Sequence, residues 1–277
     1  MTRDERVAVI GHGAIGRVVV RELLAGTVAP ARLVGVLVRD PARTGVPVRD
    51  PARSGVPAGV PVVTSLPALL ALRPTLVVEA AGQEALRAHG AACLRAGCDV
   101  LAASVGALAD AALAAELEAA ARAGGAQLLL PAGALGALDA LGAARLAGLG
   151  RVHYRSRKPP QAWRGTPAER AVDLDALREA TPFFRGSARE AARSYPKNAN
   201  VAATLALATL GLDAVQVELV ADPAAAGNVH EIEAEGAAGV LNLRLLNHAS
   251  PDNPKTSRVT PYSLLQRILM RCAAVSV

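Results

Sequence analysis

The stretch Arg6-Val-Ala-Val-Ile-Gly-His-Gly-Ala-Ile-Gly16 joins a short apolar run to three closely spaced glycines. Val7 to Ile10 is rich in β-branched residues, which is typical of a strand buried on both faces. The glycines follow with the spacing G-x-G-x-x-G, and the apolar segment from Val18 to Leu24 predicts a helix after them. A strand, a glycine turn and a helix N-terminus in this order predict a binding site for the pyrophosphate of a dinucleotide.

Each glycine of this loop has a separate predicted role. Gly11 permits the tight turn, Gly13 lets the pyrophosphate approach the backbone, and Gly16 lets the helix pack closely on the strand. His12 lies between the glycines and is interpreted as an ordinary loop residue. The residues of the loop that are predicted to contact the cofactor are Gly11, Gly13, Ala14, Ile15 and Gly16.

The end of the second predicted strand, Leu33 to Val38, bears on the choice of cofactor. An acid at this point hydrogen-bonds the ribose diol of NAD, whereas an arginine accepts the 2′-phosphate of NADP. The chain has Arg39 and Asp40 side by side, so we expect NAD to be used and NADP to be tolerated. The same residues open a near-duplicate, Arg39 to Pro47 and Arg49 to Pro57, whose prolines and glycines predict an exposed loop.

Strand and helix patterns then alternate as far as Leu146, which indicates an α/β fold with a Rossmann-type, doubly wound parallel sheet. Glu79-Ala-Ala-Gly82 follows one of these strands at the carboxyl edge of the sheet, so Ala81 and Gly82 are predicted cofactor contacts. The predicted strands are 62–63, 75–79, 99–103 and 127–130, and the predicted helices are 66–72, 85–96, 111–123 and 138–146.

The pattern changes after this point to period-two alternation, which predicts sheets covered on one face. The alternating segments are 152–157, 215–220, 228–235 and 240–246, and further helices are predicted at 173–180, 187–193, 201–210 and 263–273. We therefore predict a dinucleotide-binding domain over residues 1–133, completed by a C-terminal helix within 254–277. A second, α+β domain built on a largely antiparallel sheet is predicted over 134–253, as the substrate domain.

Composition limits the classes of function. The 277 residues are 52% hydrophobic, and the net charge of +6 comes from arginines dispersed among acids. Only 2% of the residues are aromatic, so no nucleic-acid partner is expected. We expect no signal peptide, because the N-terminus leads straight into the first predicted strand. We expect no membrane span, because charged residues, proline or glycine interrupt each apolar stretch. The three cysteines lack metal-ligand spacing and are interpreted as reduced thiols of a cytoplasmic protein without a metal site.

Almost every basic residue is arginine, and the lysines are Lys158, Lys197 and Lys255. Where arginine is the default, a lysine can mark a site that needs a compact point charge, although chance is a fair explanation for any one of the three. Lys255 lies in the polar turn Asn253-Pro-Lys-Thr-Ser257, where it could reach a cleft. In the same turn, Thr256 or Ser257 could cap the final helix.

The segment Tyr195-Pro-Lys-Asn-Ala-Asn200 precedes an apolar helix. Asn198 or Asn200 could cap that helix, but both are not needed as caps. A side-chain amide near a cofactor can also hold a nicotinamide carboxamide. Lys197 is either an ordinary solvated lysine or a partner for a substrate carboxylate.

His230 has two possible roles. The alternation of residues 228–235 places His230 on the inward face with Ile232 and Ala234. A satisfied core histidine is the usual explanation, but strand starts border clefts and histidine suits acid–base work near neutral pH. We assign no catalytic role to His89, His153 and His248, since no residues that would support such a role accompany them in the sequence.

Seven motifs spread along the chain carry a family resemblance. They are Gly11 to Gly16, Ser104-Val-Gly-Ala107, Pro131-Ala-Gly-Ala134, Tyr195 to Ala203, Ala221-Asp-Pro223, Asn228-Val-His230 and Asn253 to Ser257. Together they resemble the L-aspartate dehydrogenase family over nearly the whole chain. The glycine loop is generic, whereas the block from Tyr195 to Ala203 and the motif at His230 are specific. The duplicated loop departs from the family pattern, which leaves the preference between NAD and NADP open.

The resemblance implies that His230 is the active-site residue and that Ala134 and Asn200 contact NAD. It implies that aspartate is oxidised to oxaloacetate and ammonia through iminoaspartate with NAD or NADP, which can feed NAD biosynthesis. Aspartate carries two carboxylates, so the pocket needs cations. The residues that we expect to bind the substrate are Lys197, Asn198, Lys255 and Thr256.

Two other functions stay open at this point. Another reductase on the same scaffold, related to homoserine dehydrogenase or dihydrodipicolinate reductase, would turn over a different substrate. A dinucleotide sensor without enzymatic activity would need the glycine loop but not His230. An edge of the second domain's sheet could serve a homodimer.

Overall fold

The computed structural model describes residues 4–39, 60–196, 198, 200–250 and 253–275, with only the backbone for 253–255. Asp40, Lys197 and nearly all of the duplicated loop therefore lie outside the described residues. The chain divides into two compact units, 1–131 with 261–277 and 132–260. The stretch 254–260, which sequence placed with the C-terminal helix, falls in the second unit.

The first unit is built on a six-stranded sheet with the order β3-β2-β1-β4-β5-β6, in which every pair is parallel. This is the predicted Rossmann-type arrangement. Its strands are β1 (Arg6–Ile10), β2 (Arg32–Leu37), β3 (Val62–Val63), β4 (Leu76–Glu79), β5 (Asp99–Ala102) and β6 (Leu128–Leu129). Its helices are α1 (Ala14–Leu24), α2 (Leu66–Ala71), α3 (Gln83–Arg95), α4 (Ala111–Gly124) and α9 (Thr260–Cys272), with a 3₁₀ turn at Val105–Ala109.

The last helix, α9, completes the core of the first unit. Leu264, Leu265 and Ile268 pack in one buried cluster with side chains of β1, β2 and α1. Arg271 of α9 donates to Glu5 at 2.9 Å and to Asp99 at 2.6 Å, and both acids lie at the amino ends of their strands. The helix is therefore held by apolar packing along its length and by paired charges at its end.

The second unit is built on a five-stranded sheet with the order β11-β10-β7-β9-β8. All pairs are antiparallel except β7 with β9, so the prediction of a largely antiparallel sheet is confirmed. The strands of the unit are β7 (Leu149–Lys158), β8 (Thr181–Ser187), β9 (Gln216–Ala221), β10 (Asn228–Gly236), β11 (Gly239–Asn247), β12 (Ala249–Ser250) and β13 (Asn253–Ser257). Its helices are α5 (Leu138–Leu146), α6 (Ala168–Ala171), α7 (Ala188–Ser194) and α8 (Asn200–Ala208), with a 3₁₀ turn at Pro160–Trp163.

Two local predictions in the second unit are wrong, and one strand was missed. No helix forms over 173–180: the Asp173 carboxylate accepts from the amides of Asp175 and Ala176, but the chain makes only a short turn there. Strand β8 was not predicted, because Pro182 and Gly186 disfavour a strand; it lies at the sheet edge with a bulge, where proline is tolerated. Residues 253–257 form β13, paired with β12, and not a turn.

The searched, described part of the chain contains no helix with the length and hydropathy needed to cross a membrane.

Candidate active site

The glycine loop of the first unit fits a pyrophosphate. Gly11 has φ +97°, and a Cβ on it would lie 2.7 Å from Cβ of Ala81. A Cβ on Gly16 would overlap the carbonyl oxygen of Gly11, so α1 packs directly against the turn. A Cβ on Gly13 would meet no described atom within 4 Å, which leaves open space where the backbone could approach a ligand.

The N-terminus of α1 is available to an anion. Gly13 is its N-cap, no side chain in the described residues caps it, and its first turn has no acid. The dipole of an 11-residue helix and its first amides favour negative charge at this end. Ala14 and Ile15 form the first turn, so all five predicted loop residues lie around this space. These features together fit a dinucleotide.

Glu79 shapes the neighbouring loops at the carboxyl edge of the sheet. Its buried carboxylate accepts hydrogen bonds from the amides of Ala81 and Gly82, both at 2.8 Å, and from the amide and hydroxyl of Ser104, both at 3.1 Å. Burial raises the pKa of Glu79, and these hydrogen bonds oppose the shift. Because Glu79 occupies the amides of Ala81 and Gly82, these predicted cofactor residues can offer only their carbon and carbonyl atoms. Arg39, after β2, is exposed.

His230 lies on the inner face of β10 and is 1% exposed. Its Nδ1 lies 2.7 Å from Oη of Tyr154 on β7, and the two rings are nearly parallel. Among the described residues, Nε2 has no hydrogen-bond partner. Burial, followed by the positive charge of Lys158, lowers the pKa of His230 to about 3, so the imidazole is neutral at physiological pH.

Three residues of β7 accompany His230. Tyr154, Ser156 and Lys158 are each at most 3% exposed, and Ser156 is the register partner of His230 across the sheet. Burial raises the pKa of Tyr154 above its usual range; Ser156 opposes this shift, but its Oγ makes no full hydrogen bond with any described group. Burial lowers the pKa of Lys158 to about 8. A phenol, a hydroxyl and an amine therefore line one face beside the imidazole.

This grouping around His230 was missed from the sequence, although a signal was present. The alternation of 152–157 places Tyr154 and Ser156 on one face, and one more step reaches Lys158. The predicted strand ended at Arg157, one residue too early. The scarcity of lysine pointed to Lys158, but it had no assigned role.

The 3₁₀ turn Pro160–Trp163 joins several predicted substrate residues. Asn198 is buried, and its Nδ2 donates to the carbonyl oxygen of Ala162 at 3.3 Å, while its Oδ1 has no partner in the described residues. Strand β13, which carries Lys255 and the half-buried Thr256, packs against the same turn. The side chain of Lys255 is not described.

The two residues that the resemblance linked to NAD lie in the second unit. Ala134 is buried, and its carbonyl oxygen accepts from Asn247 Nδ2 at 2.7 Å. Asn200 is the first residue of α8.

Comparison with known proteins decides the family. Residues 139–271 match the family model described as aspartate dehydrogenase, C-terminal, and residues 11–131 match the model described as homoserine dehydrogenase, NAD binding domain. An L-aspartate dehydrogenase of Ruegeria pomeroyi is 50% identical over 270 residues, covering 98% of this chain and 94% of the relative. The chain belongs to the aspartate dehydrogenase family.

A second relative agrees with this assignment, and two solved structures share the fold. The L-aspartate dehydrogenase 2 of Bordetella bronchiseptica is 46% identical and covers 98% of both chains. The solved aspartate dehydrogenase of Thermotoga maritima superposes with a TM-score of 0.74 at 23% identity and covers 99% of this chain and all of that one. An archaeal homoserine dehydrogenase in complex with NADPH has a TM-score of 0.61 at 13% identity over 97% and 98% of the two chains, which shows a shared fold alone.

Proposed function

We propose that this chain catalyses the NAD(P)-dependent oxidative deamination of L-aspartate to oxaloacetate and ammonia through iminoaspartate, and the reverse reductive amination. The observation that carries the proposal is the buried, neutral imidazole of His230, whose Nε2 is left without a partner among the described residues in a chain 50% identical to a named L-aspartate dehydrogenase. The product iminoaspartate could serve NAD biosynthesis.

The glycine loop and the N-terminus of α1 would hold the pyrophosphate of the cofactor. A bound nicotinamide supplies the acceptor for the hydride that leaves Cα of aspartate. Asp40 would bind the ribose diol of NAD and Arg39 the 2′-phosphate of NADP. Ala134 and Asn200 are proposed cofactor contacts because the corresponding family residues have this role.

His230 would act as the general base. An ammonium group has no lone pair to expel a hydride, and aspartate at neutral pH is almost entirely an ammonium, so a proton must be removed first. A base at Nε2 requires the ring proton on Nδ1, from which it donates to Oη of Tyr154 at 2.7 Å. In this tautomer the hydrogen bond to Tyr154 holds the orientation of the ring.

The same imidazole would serve the second step, the hydrolysis of the imine. Once the imidazolium has released the first proton to solvent, the neutral Nε2 can take a proton from water as the oxygen attacks the iminium carbon, and it can then pass that proton to the departing amine. In the reverse direction the imidazolium returns the proton to the amine. One buried histidine is therefore sufficient for both proton transfers.

The substrate contacts are also proposals. Asn198 offers a buried amide oxygen without a described partner, which can accept from an ammonium group. Lys197, Lys255 and Thr256 are proposed carboxylate contacts, supported by the packing of β13 on the turn next to Asn198.

Amino-acid-dependent reduction of NAD and NADP by purified protein tests the function. We expect absorbance at the NAD(P)H band to rise with L-aspartate. Turnover of glutamate or homoserine, with none of aspartate, would contradict the substrate assignment.

We also propose a homodimer in the cytoplasm. Edge strand β11 exposes Val240 by 63% and Leu246 by 47%, which would be covered by a second copy. The thiols of Cys93 and Cys98 are buried, and burial raises the pKa of both, which fits a reducing compartment.

A further inference from the structure

Lys158 is a buried cation without an acidic partner. Its side chain is on the inner face of β7, and the residue is 3% exposed. Nζ lies 5.4 Å from the ring centroid of Trp163, which provides a cation–π contact. No carboxylate of the described residues forms an ion pair with it.

The two arginines on the outer face of the same strand are treated differently. Arg155 pairs with Glu218, and Arg157 pairs with Asp222 at 2.6 Å and with Glu231 at 3.4 Å. The fold therefore supplies acids to the two cations that reach solvent and none, in the described residues, to the buried one. This is the reverse of what stability alone would favour.

The environment of Lys158 is that expected of an anion-binding site. Burial lowers its pKa to about 8, so it still carries a proton at neutral pH but at an energetic cost. An entering anion would offset that cost by pairing with the ammonium group. Unpaired buried cations of this kind are expected at functional sites and not in structural cores.

Ser156 provides a second donor beside Lys158. The two residues are two positions apart on β7 and share the inner face, so their Cα atoms are roughly 7 Å apart. The hydroxyl of Ser156 is buried, and apart from a weak interaction with Tyr154 it has no hydrogen-bond partner among described groups. An ammonium and a hydroxyl on the same face of a strand are both donors that the oxygens of a carboxylate can accept from.

We propose that Lys158 and Ser156 bind one carboxylate of the substrate next to His230. This rests on the proposed function, which supplies a dicarboxylate with an amine to be deprotonated. A second effect follows, because a carboxylate that neutralises Lys158 removes one of the two causes that keep His230 a weak base.

The first test compares Lys158→Met with wild type in steady-state kinetics. Loss of a charge-assisted hydrogen bond should raise KM for aspartate, or lower kcat/KM, about 10- to 150-fold. Arg145→Met, which removes an exposed positive charge from the same unit, is the matched control and should leave both parameters unchanged. Lys158→Gln provides a second variant if Lys158→Met fails to fold, and Ser156→Ala should show a smaller loss in the same direction.

A second comparison identifies the carboxylate. In 2-aminobutyrate a methyl group replaces the side-chain carboxylate of aspartate. If Lys158 binds the side-chain carboxylate, Lys158→Met should remove much of the preference for aspartate; if it binds the α-carboxylate, kcat/KM should fall alike for both. Where 2-aminobutyrate reacts too slowly, its inhibition constant against aspartate gives the same comparison.

A binding experiment separates this inference from the proposed function. With NADH present, succinate should raise the unfolding temperature of wild type and of Arg145→Met but not of Lys158→Met. Wild type that fails to oxidise aspartate would overturn the proposed function. Wild type that is active, with KM, kcat/KM and the succinate shift of Lys158→Met within about two-fold of wild type, would overturn the role of Lys158 alone.

Discussion

At the scale of single residues, the hydrogen bonding of His230 differs from that expected of a core histidine. A histidine that merely filled the core would have both ring nitrogens satisfied, because buried polar atoms without partners are costly. Here only Nδ1 is engaged, by Tyr154, and Nε2 has no partner among the described groups. The geometry therefore supports acid–base chemistry at Nε2.

We predict that His230→Ala lowers kcat by about two to four decades, the usual contribution of general-base assistance, and leaves NADH affinity nearly intact. Steady-state kinetics and NADH fluorescence titration measure the two effects. His153→Ala, on the partly exposed face of β7, is the control. A kcat within a few-fold of wild type would remove His230 from the mechanism, and joint loss of fold and NADH binding would support a core role.

The pH dependence follows from the lowered pKa of His230. Because burial and then the charge of Lys158 favour the neutral ring, the base should stay unprotonated well below the ordinary histidine value of 6.5. Tyr154 and Lys158 are the titratable groups on the facing strand. We predict no loss of kcat/KM from histidine protonation between pH 7 and 5. In Lys158→Met the loss should begin at higher pH, and an unchanged profile would contradict this coupling.

Arg39 is predicted to determine tolerance of NADP. Loss of an arginine–phosphate contact in Arg39→Ala should lower the ratio of kcat/KM for NADP to that for NAD by about 10- to 150-fold. Arg32→Ala, at the opposite end of β2, should leave the ratio unchanged. An unchanged ratio in Arg39→Ala would mean that this side chain points away from the ribose.

At the scale of elements, the loops after β4 and β5 are joined through one carboxylate. Glu79 is the last residue of β4, and its four hydrogen bonds reach the turn before α3 and Ser104 in the loop after β5. Ala81 in this turn packs against Gly11, where a Cβ would lie 2.7 Å from Cβ of Ala81. Displacement of the turn would therefore also disturb the glycine loop.

Glu79→Gln should therefore weaken both stability and cofactor binding. The amide has one acceptor oxygen in place of two, so a buried N–H loses its partner, at a cost of about 1–3 kcal/mol. Urea unfolding and NADH titration give the two quantities, and Glu118→Gln on the exposed face of α4 is the control. NADH affinity equal to wild type in Glu79→Gln would show that the turn holds its position without the carboxylate.

At the scale of the whole molecule, an ion pair joins residues near the two ends of the chain within the first unit. Glu5 precedes β1 and Arg271 lies in the last turn of α9, whereas the second unit, residues 132–260, lies between them in the sequence. Arg271→Met leaves the buried acids Glu5 and Asp99 unpaired, so we predict a loss of about 3–5 kcal/mol in the free energy of unfolding. Urea unfolding checks this against Arg95→Met, an exposed pair that should cost under about 1 kcal/mol. Similar losses in the two variants would contradict the role of the buried pairs.

Most of the architecture could be predicted from the sequence, because long apolar and alternating patterns determine which elements form. The glycine loop, the parallel strands and the hairpin of β10 and β11 are strong local signals. Strands β8 and β13 could not be predicted, because each contains a proline, Pro182 and Pro254. Proline is tolerated in β8 because the strand lies at a sheet edge, and β13 forms by pairing with β12; local sequence reveals neither arrangement. The sequence pointed to His230, and its catalytic role stays a prediction. Its neighbours Tyr154, Ser156 and Lys158 became evident only from the register between β7 and β10.

The ion pairs on the outer face of β7 influence which side chains lie on its inner face. Because side chains alternate along a strand, a slip of one residue would turn Arg155 and Arg157 inward and push Lys158 out. Each surface ion pair contributes little by itself, but burying two arginines away from Glu218 and Asp222 would be severely unfavourable. The ion pairs therefore favour a single register of β7. Arg155 and Arg157, which contact no substrate, thereby keep Ser156 and Lys158 on the inner face.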